Sequence, residues 1–103
     1  MDVFFLKAVV PEKLELEVIG DGVLDLTTVT AVSLQITKPG SPDLDEETWT
    51  ADITAQSSDQ ILLEHPFVIT DVDRVGVYRI MIVMTIPAGE ERAGPAFFRG
   101  RYI

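Results

Sequence analysis

The sequence predicts an all-β domain of two packed antiparallel sheets, and three observations carry that expectation. Apolar residues recur at every second position, most clearly at Tyr78, Ile80, Ile82, Met84 and Ile86, with Arg79, Met81, Val83 and Thr85 on the opposite face. A pleated strand sorts such a pattern onto two faces, whereas a helix scatters it around its circumference. Turn-forming clusters at Gly20-Asp21-Gly22, Lys38-Pro39-Gly40-Ser41-Pro42 and Pro87-Ala88-Gly89 punctuate the chain. No stretch of ordinary helix length carries a helical period, so about seven short strands are expected.

The bulk composition bounds the function classes. With 103 residues, 47% apolar and 24% charged, the chain has the size and balance of one folded domain. Residues 1–10 are expected as an N-terminal apolar arm or edge strand, and residues 11–103 as the sandwich. Lys7 and Pro11 interrupt the apolar start well short of a membrane-spanning length. That start has Asp2 ahead of any basic residue and no small-residue cleavage pattern, so it does not read as a signal peptide. Eight basic against 17 acidic residues give a net charge of −9. Such a field repels phosphate backbones, and nucleic acid is not expected as a partner. The absence of cysteine excludes disulfides and thiolate metal sites.

Taken in order, Phe4, Phe5, Leu6, Val9 and Val10 form an apolar segment closed by Pro11. It suits either an edge strand or an arm packed on a neighbouring copy. Leu14, Leu16 and Val18 alternate with Glu15, Glu17 and Ile19 as the next strand. Residues 25–28 read as a connector into Val32, Leu34 and Ile36, which face inward against Ser33, Gln35 and Thr37. Two prolines and a glycine end that strand. An acidic loop at Asp43, Asp45, Glu46 and Glu47 leads into Trp49, Ala51 and Ile53. Residues 55–60 are expected as a loop, Ile61 to Leu63 as a strand broken by His65-Pro66, and residues 87–91 as a hairpin loop before the aromatic C-terminal segment. The strand starting at Tyr78 is expected at the centre.

Gly76-Val77-Tyr78, preceded by Asp73, resembles the tyrosine corner of immunoglobulin-like sandwiches, with Ile80 standing where antibody-type domains place a cysteine. The succession Asp25-Leu26-Thr27-Thr28, Val29 to Leu34, Lys38-Pro39-Gly40 and Trp49 resembles the first half of immunoglobulin-like domains in tailed-bacteriophage structural proteins. Asp73, Gly76-Val77-Tyr78, Pro87-Ala88-Gly89 and Pro95-Ala96-Phe97-Phe98 follow in the order of the second half. Spanning residues 24–99, the chain is similar to the N-terminal module of baseplate and tail-fibre attachment proteins. The resemblance implies an immunoglobulin-like sandwich of about seven strands without a disulfide. It also implies an adaptor or connector role in a virion (tail, baseplate, neck, head–tail connector or capsid surface), with other virion structural proteins as partners.

Little in the chain suggests catalysis. The single histidine, His65, precedes Pro66, and neither a Gly-x-Ser-x-Gly motif nor a phosphate-cradling loop is present. Asp71 with Asp73, and the acidic run at 43–47, offer hard oxygen ligands, but neither follows the spacing of a calcium loop. No catalytic residue, cofactor or metal site is therefore expected. Protein–protein assembly is the expected activity: Phe4, Phe5, Leu6, Phe97 and Phe98 would supply a buried subunit contact, and Arg99 and Arg101 would meet acidic residues on a neighbour. A homo-oligomer is expected, with neither membrane nor nucleic acid as partner. The alternative is an adhesive or carbohydrate-binding module, in which Trp49 and Tyr78 could stack on a sugar. Their alternation places both more naturally in the core, with Ile80, Ile82 and Met84.

Overall fold

A computed structural model describes residues 2–9, 13–40, 46–67, 71 and 76–100; within 2–9 the description covers the backbone and the Val3 side chain. The strands are β1 (Asp2–Val9), β2 (Lys13–Ile19), β3 (Ala31–Thr37), β4 (Glu46–Gln56), β5 (Gln60–Pro66), β6 (Gly76–Ile86) and β7 (Gly89–Gly100), with a 3₁₀ turn at Leu26–Thr28 before β3. They form one antiparallel sheet in the order β1-β2-β5-β4-β3-β6-β7.

The expected two-sheet immunoglobulin-like sandwich is therefore corrected. The reason lies in β4, which is long enough to serve both halves of the sheet. Glu46 to Ala51 pair with β3, and Asp52 to Gln56 pair with β5. Because one strand passes from one set of partners to the other, no break separates two sheets. The six strands β2 to β7 curl as a half-barrel and enclose the core on their concave side, and β1 extends the sheet by pairing with β2. Its backbone also approaches β7, the opposite edge. The strand expected at the centre, β6, lies between β3 and the edge strand β7, while β4 holds the middle of the sheet.

Alternation fills the interior. Leu14, Leu16 and Val18 of β2, Leu34 and Ile36 of β3, Ile61 and Leu63 of β5, and Tyr78, Ile80, Ile82 and Met84 of β6 are all nearly inaccessible to solvent. Each fully buried side chain of this size contributes about 1.5–3 kcal/mol through removal of apolar area from water. Several connections are tighter than the sequence suggests. β4 runs on to Gln56 and β5 starts at Gln60, and Pro87 and Ala88 alone make the turn between β6 and β7.

The half-barrel is closed differently at its two ends. At one end Leu26, fully buried, plugs the interior from the 3₁₀ turn. Asp25 caps that turn by accepting from the Thr27 amide at 3.0 Å and the Thr27 hydroxyl at 2.6 Å. The Gln56 side chain donates to the carbonyl oxygens of Leu26 (2.6 Å) and Val29 (2.9 Å), tying the plug to β4. At the other end Trp49, His65, Phe67, Tyr78 and Phe98 form a connected aromatic cluster.

Candidate assembly surface

A bulge decides which side chains β7 presents to solvent. Ile80 pairs with Ala96 but Ile82 pairs with Ala93, so β7 carries one residue more than β6 over this interval. The extra residue falls at Gly94-Pro95, where Gly94 has φ of 114° and a Cβ would lie 3.1 Å from the Ile80 carbonyl oxygen. A single inserted residue reverses the in–out parity of everything beyond it. Without it, alternation from the buried Ala93 would carry Phe97 inward. With it, Ala96 and Phe98 point inward at 5% exposure each, and Phe97 points outward at 52%.

The residues beside Phe97 make this a distinctive surface. On β6, Arg79 lies opposite Phe97, and Val77, also 52% exposed, lies opposite Arg99. Two apolar side chains thus sit on a cross-strand diagonal, interleaved with two guanidinium groups. Further along the same face, Arg92 reaches from β7 to Gln35 on β3 with an Nη1–Oε1 distance of 2.9 Å. It passes over β6 at Val83, its cross-strand neighbour, which is only 7% exposed. Phe97 and Val77, each about half exposed, have no such cover among the described residues.

On the outer face of β2, β5 and β4, alternation instead places Glu15, Glu17, Leu62, Glu64 and Asp52. Lys13 bonds Glu64 at 2.7 Å and lies 3.4 Å from Glu15, and these two carboxylates, Glu64 foremost, hold its ammonium above the ordinary lysine range. A second bulge, between Ile53 and Ala55 on β4, leaves Thr54 unpaired in the ladder. A cavity of about 180 Å³ opens there, lined by Glu15, Leu16, Thr54, Leu62, Leu63 and Glu64.

The residues singled out from sequence are distributed as follows. Phe97 and Arg99 are exposed on β7, whereas Phe98 is in the core, stacked on Tyr78 with ring centroids 4.8 Å apart. The side chains of Phe4, Phe5 and Leu6, together with Arg101, lie outside the described residues; the backbone of β1 is hydrogen-bonded to β2. Trp49, Tyr78, Ile80, Ile82 and Met84 are buried. Asp43, Asp45 and Asp73 lie outside the described residues. Among those described, no three His, Asp or Glu side chains converge as a metal site.

His65 and Asp71 are brought together in a way their separation in the chain did not announce. His65 Nδ1 lies 2.5 Å from the Thr50 carbonyl oxygen, which can only accept, so Nδ1 carries a proton. Nε2 lies 2.8 Å from Asp71 Oδ2. The contact is therefore complementary when one further proton lies between imidazole and carboxylate. Trp49 stacks on the His65 ring at 4.8 Å and 13°, and its indole N–H donates to Glu47, which also pairs with the buried Lys38 at 3.2 Å. Both His65 and Asp71 are 6% exposed. This network belongs to the wall of the half-barrel, with both ring nitrogens of His65 already engaged.

No protein family, curated protein or solved structure matches this chain. With the sandwich replaced by one curled sheet and no relative matched, the resemblance to immunoglobulin-like domains of tailed-bacteriophage proteins is corrected as well, and with it the assignment of the chain as a bacteriophage β-sandwich.

Proposed function

We propose that the protein is a non-enzymatic assembly module that associates through the outer face of β6 and β7. The observation that carries this reading is the pairing of exposed Phe97 and Val77 with Arg79 and Arg99 across two neighbouring strands. An exposed apolar side chain is ordinary by itself. Aromatic and arginine side chains side by side are the residue types that dominate the buried centres of protein interfaces. Covering the exposed half of Phe97 and of Val77 contributes about 1 kcal/mol each. The non-enzymatic part is supported by His65, whose ring nitrogens are both taken up within the wall. An adhesive or sugar-binding reading would need a stacking face other than Trp49 and Tyr78, which are 4% and 0% exposed.

Native mass spectrometry of the full chain over a concentration series tests the reading. The wild type is expected to self-associate as concentration rises, and Phe97→Glu to remain monomeric with an unchanged circular dichroism spectrum. A wild type that stays monomeric throughout, or a Phe97→Glu variant that assembles as the wild type does, refutes it.

A further inference from the structure

The assembly face has a counterpart on the same molecule. We infer that the partner of the Phe97 face is the Leu62 face of a second copy of this chain, with Phe97 entering the hollow beside Thr54; the inference rests on the assembly reading above. Size, charge and placement support it. Size fits because a cavity of about 150 Å³ accommodates a benzene ring, and the hollow measures about 180 Å³. Charge is complementary: Arg79 and Arg99 flank Phe97, whereas Glu15 and Glu64 line the hollow, with Glu17 and Asp52 on the same outer face. Lys13 bridges both Glu64 and Glu15 but brings one positive charge against the four carboxylates, so the acceptor face remains acidic. On docking, each guanidinium gains a carboxylate partner at a rim that the apolar contact shields from water.

Placement makes the contact intermolecular. β5 and β6 lie on opposite flanks of the curled sheet, separated by β4 and β3, and both turn their inner residues toward one core. Their outer faces consequently look away from each other, and one copy cannot satisfy its own hollow. Both features also owe their shape to bulges: the one at Gly94-Pro95 turns Phe97 outward, and the one between Ile53 and Ala55 opens the hollow. An interface between two different faces of the same chain is heterologous. It propagates head to tail, and closes as a ring or continues as a filament according to the rotation per step.

That asymmetry supplies the test. Phe97→Glu disables the projecting face and leaves the hollow intact. Leu62→Arg fills the hollow with a cation that repels Arg79 and Arg99, and leaves Phe97 intact. Both side chains point away from the core, and unchanged circular dichroism and melting temperature establish that each variant is folded. Each variant alone is expected to be monomeric, its dissociation constant raised at least about 30-fold, as for an interface hot spot. Mixed in equal amounts, the two should form a capped heterodimer and nothing larger, because only one competent interface can form. Native mass spectrometry distinguishes the variants by mass. A mixture that stays monomeric overturns the heterologous pairing. If Phe97→Glu is monomeric but Leu62→Arg assembles like the wild type, the assembly reading stands and the assignment of the hollow falls. A monomeric wild type removes both.

Discussion

The two ends of the half-barrel solve the same problem with different chemistry. At the Leu26 end an apolar plug is held by hydrogen bonds without an ion pair: the Gln56 amide donates to two backbone carbonyls, and the Asp25 carboxylate at the surface caps the 3₁₀ turn. At the Trp49 end the closure is aromatic and built from ionisable groups, with His65–Asp71 and Lys38–Glu47 around the indole. The first arrangement degrades gradually, because each hydrogen bond to a neutral group is worth only about 1 kcal/mol net. The second is more sensitive to single substitutions, because removing one member of the buried His65–Asp71 contact costs more than removing a hydrogen bond at the surface.

The sharpest way to break the comparison is at Asp71. Asp71→Ala should destabilise by about 3–5 kcal/mol, as for other buried pairs that lose one member. Asp71→Asn should cost less than half as much, because its amide N–H can donate to the neutral Nε2 while Nδ1 keeps its bond to Thr50. Chemical denaturation of both variants measures the gap; equal losses would mean that the shared proton has no role in closing this end. Next in size is Leu26→Ala, expected at about 2–5 kcal/mol as for fully buried leucines elsewhere. Gln56→Ala should follow at about 1–3 kcal/mol, since it removes the side-chain donor to the Val29 carbonyl and leaves the Leu26 carbonyl with the Val29 amide at 3.3 Å. If Gln56→Ala proved as costly as Asp71→Ala, the proposed contrast between the ends would fail.

How far the chain disclosed this architecture depends on whether the deciding feature is periodic. Period-two alternation identified β2, β3, the first part of β4, and β6 with their buried faces, because one residue's neighbours settle its side. It could not say whether those strands make one sheet or two. That was decided by the partners of β4, a pairing between residues far apart in the chain. Near Phe97 and Phe98 the pattern was ambiguous for a physical reason: the bulge at Gly94-Pro95 inserts a residue and exchanges the faces of the two rings. A Gly-Pro step inside a strand is the local signal that could have pointed there. The β4 bulge likewise sets Gln56 opposite the buried Ile61, a register shift with no such signal in the chain. Val77, Arg79 and Leu62 were missed as surface residues of interest because exposure next to an opposing charge is a property of register. His65 and Asp71 met for a similar reason, in a contact that spacing alone does not specify.

The smallest effect separates the ends by pH, and its sign differs between them. The Asp25 carboxyl is held below its usual range, first by the Thr27 hydroxyl and then by the Thr27 amide. A depressed carboxylate contributes stability that is present above its unfolded value, about 3.9, and is lost as pH falls through the folded value. Lys13, beside Pro66 at the Trp49 end, is raised by Glu64 and Glu15. A raised lysine contributes stability that is present below its unfolded value, about 10.4, and is lost as pH rises through the folded value. Both groups are at the surface, so salt screens each contribution. Melting temperatures of Asp25→Ala and Lys13→Met should therefore lie slightly below wild type at neutral pH. The Asp25→Ala deficit should narrow below about pH 4, and the Lys13→Met deficit above about pH 10. If both deficits narrowed on the same side of neutrality, the two ends would not differ in the sign of the charge that supports them.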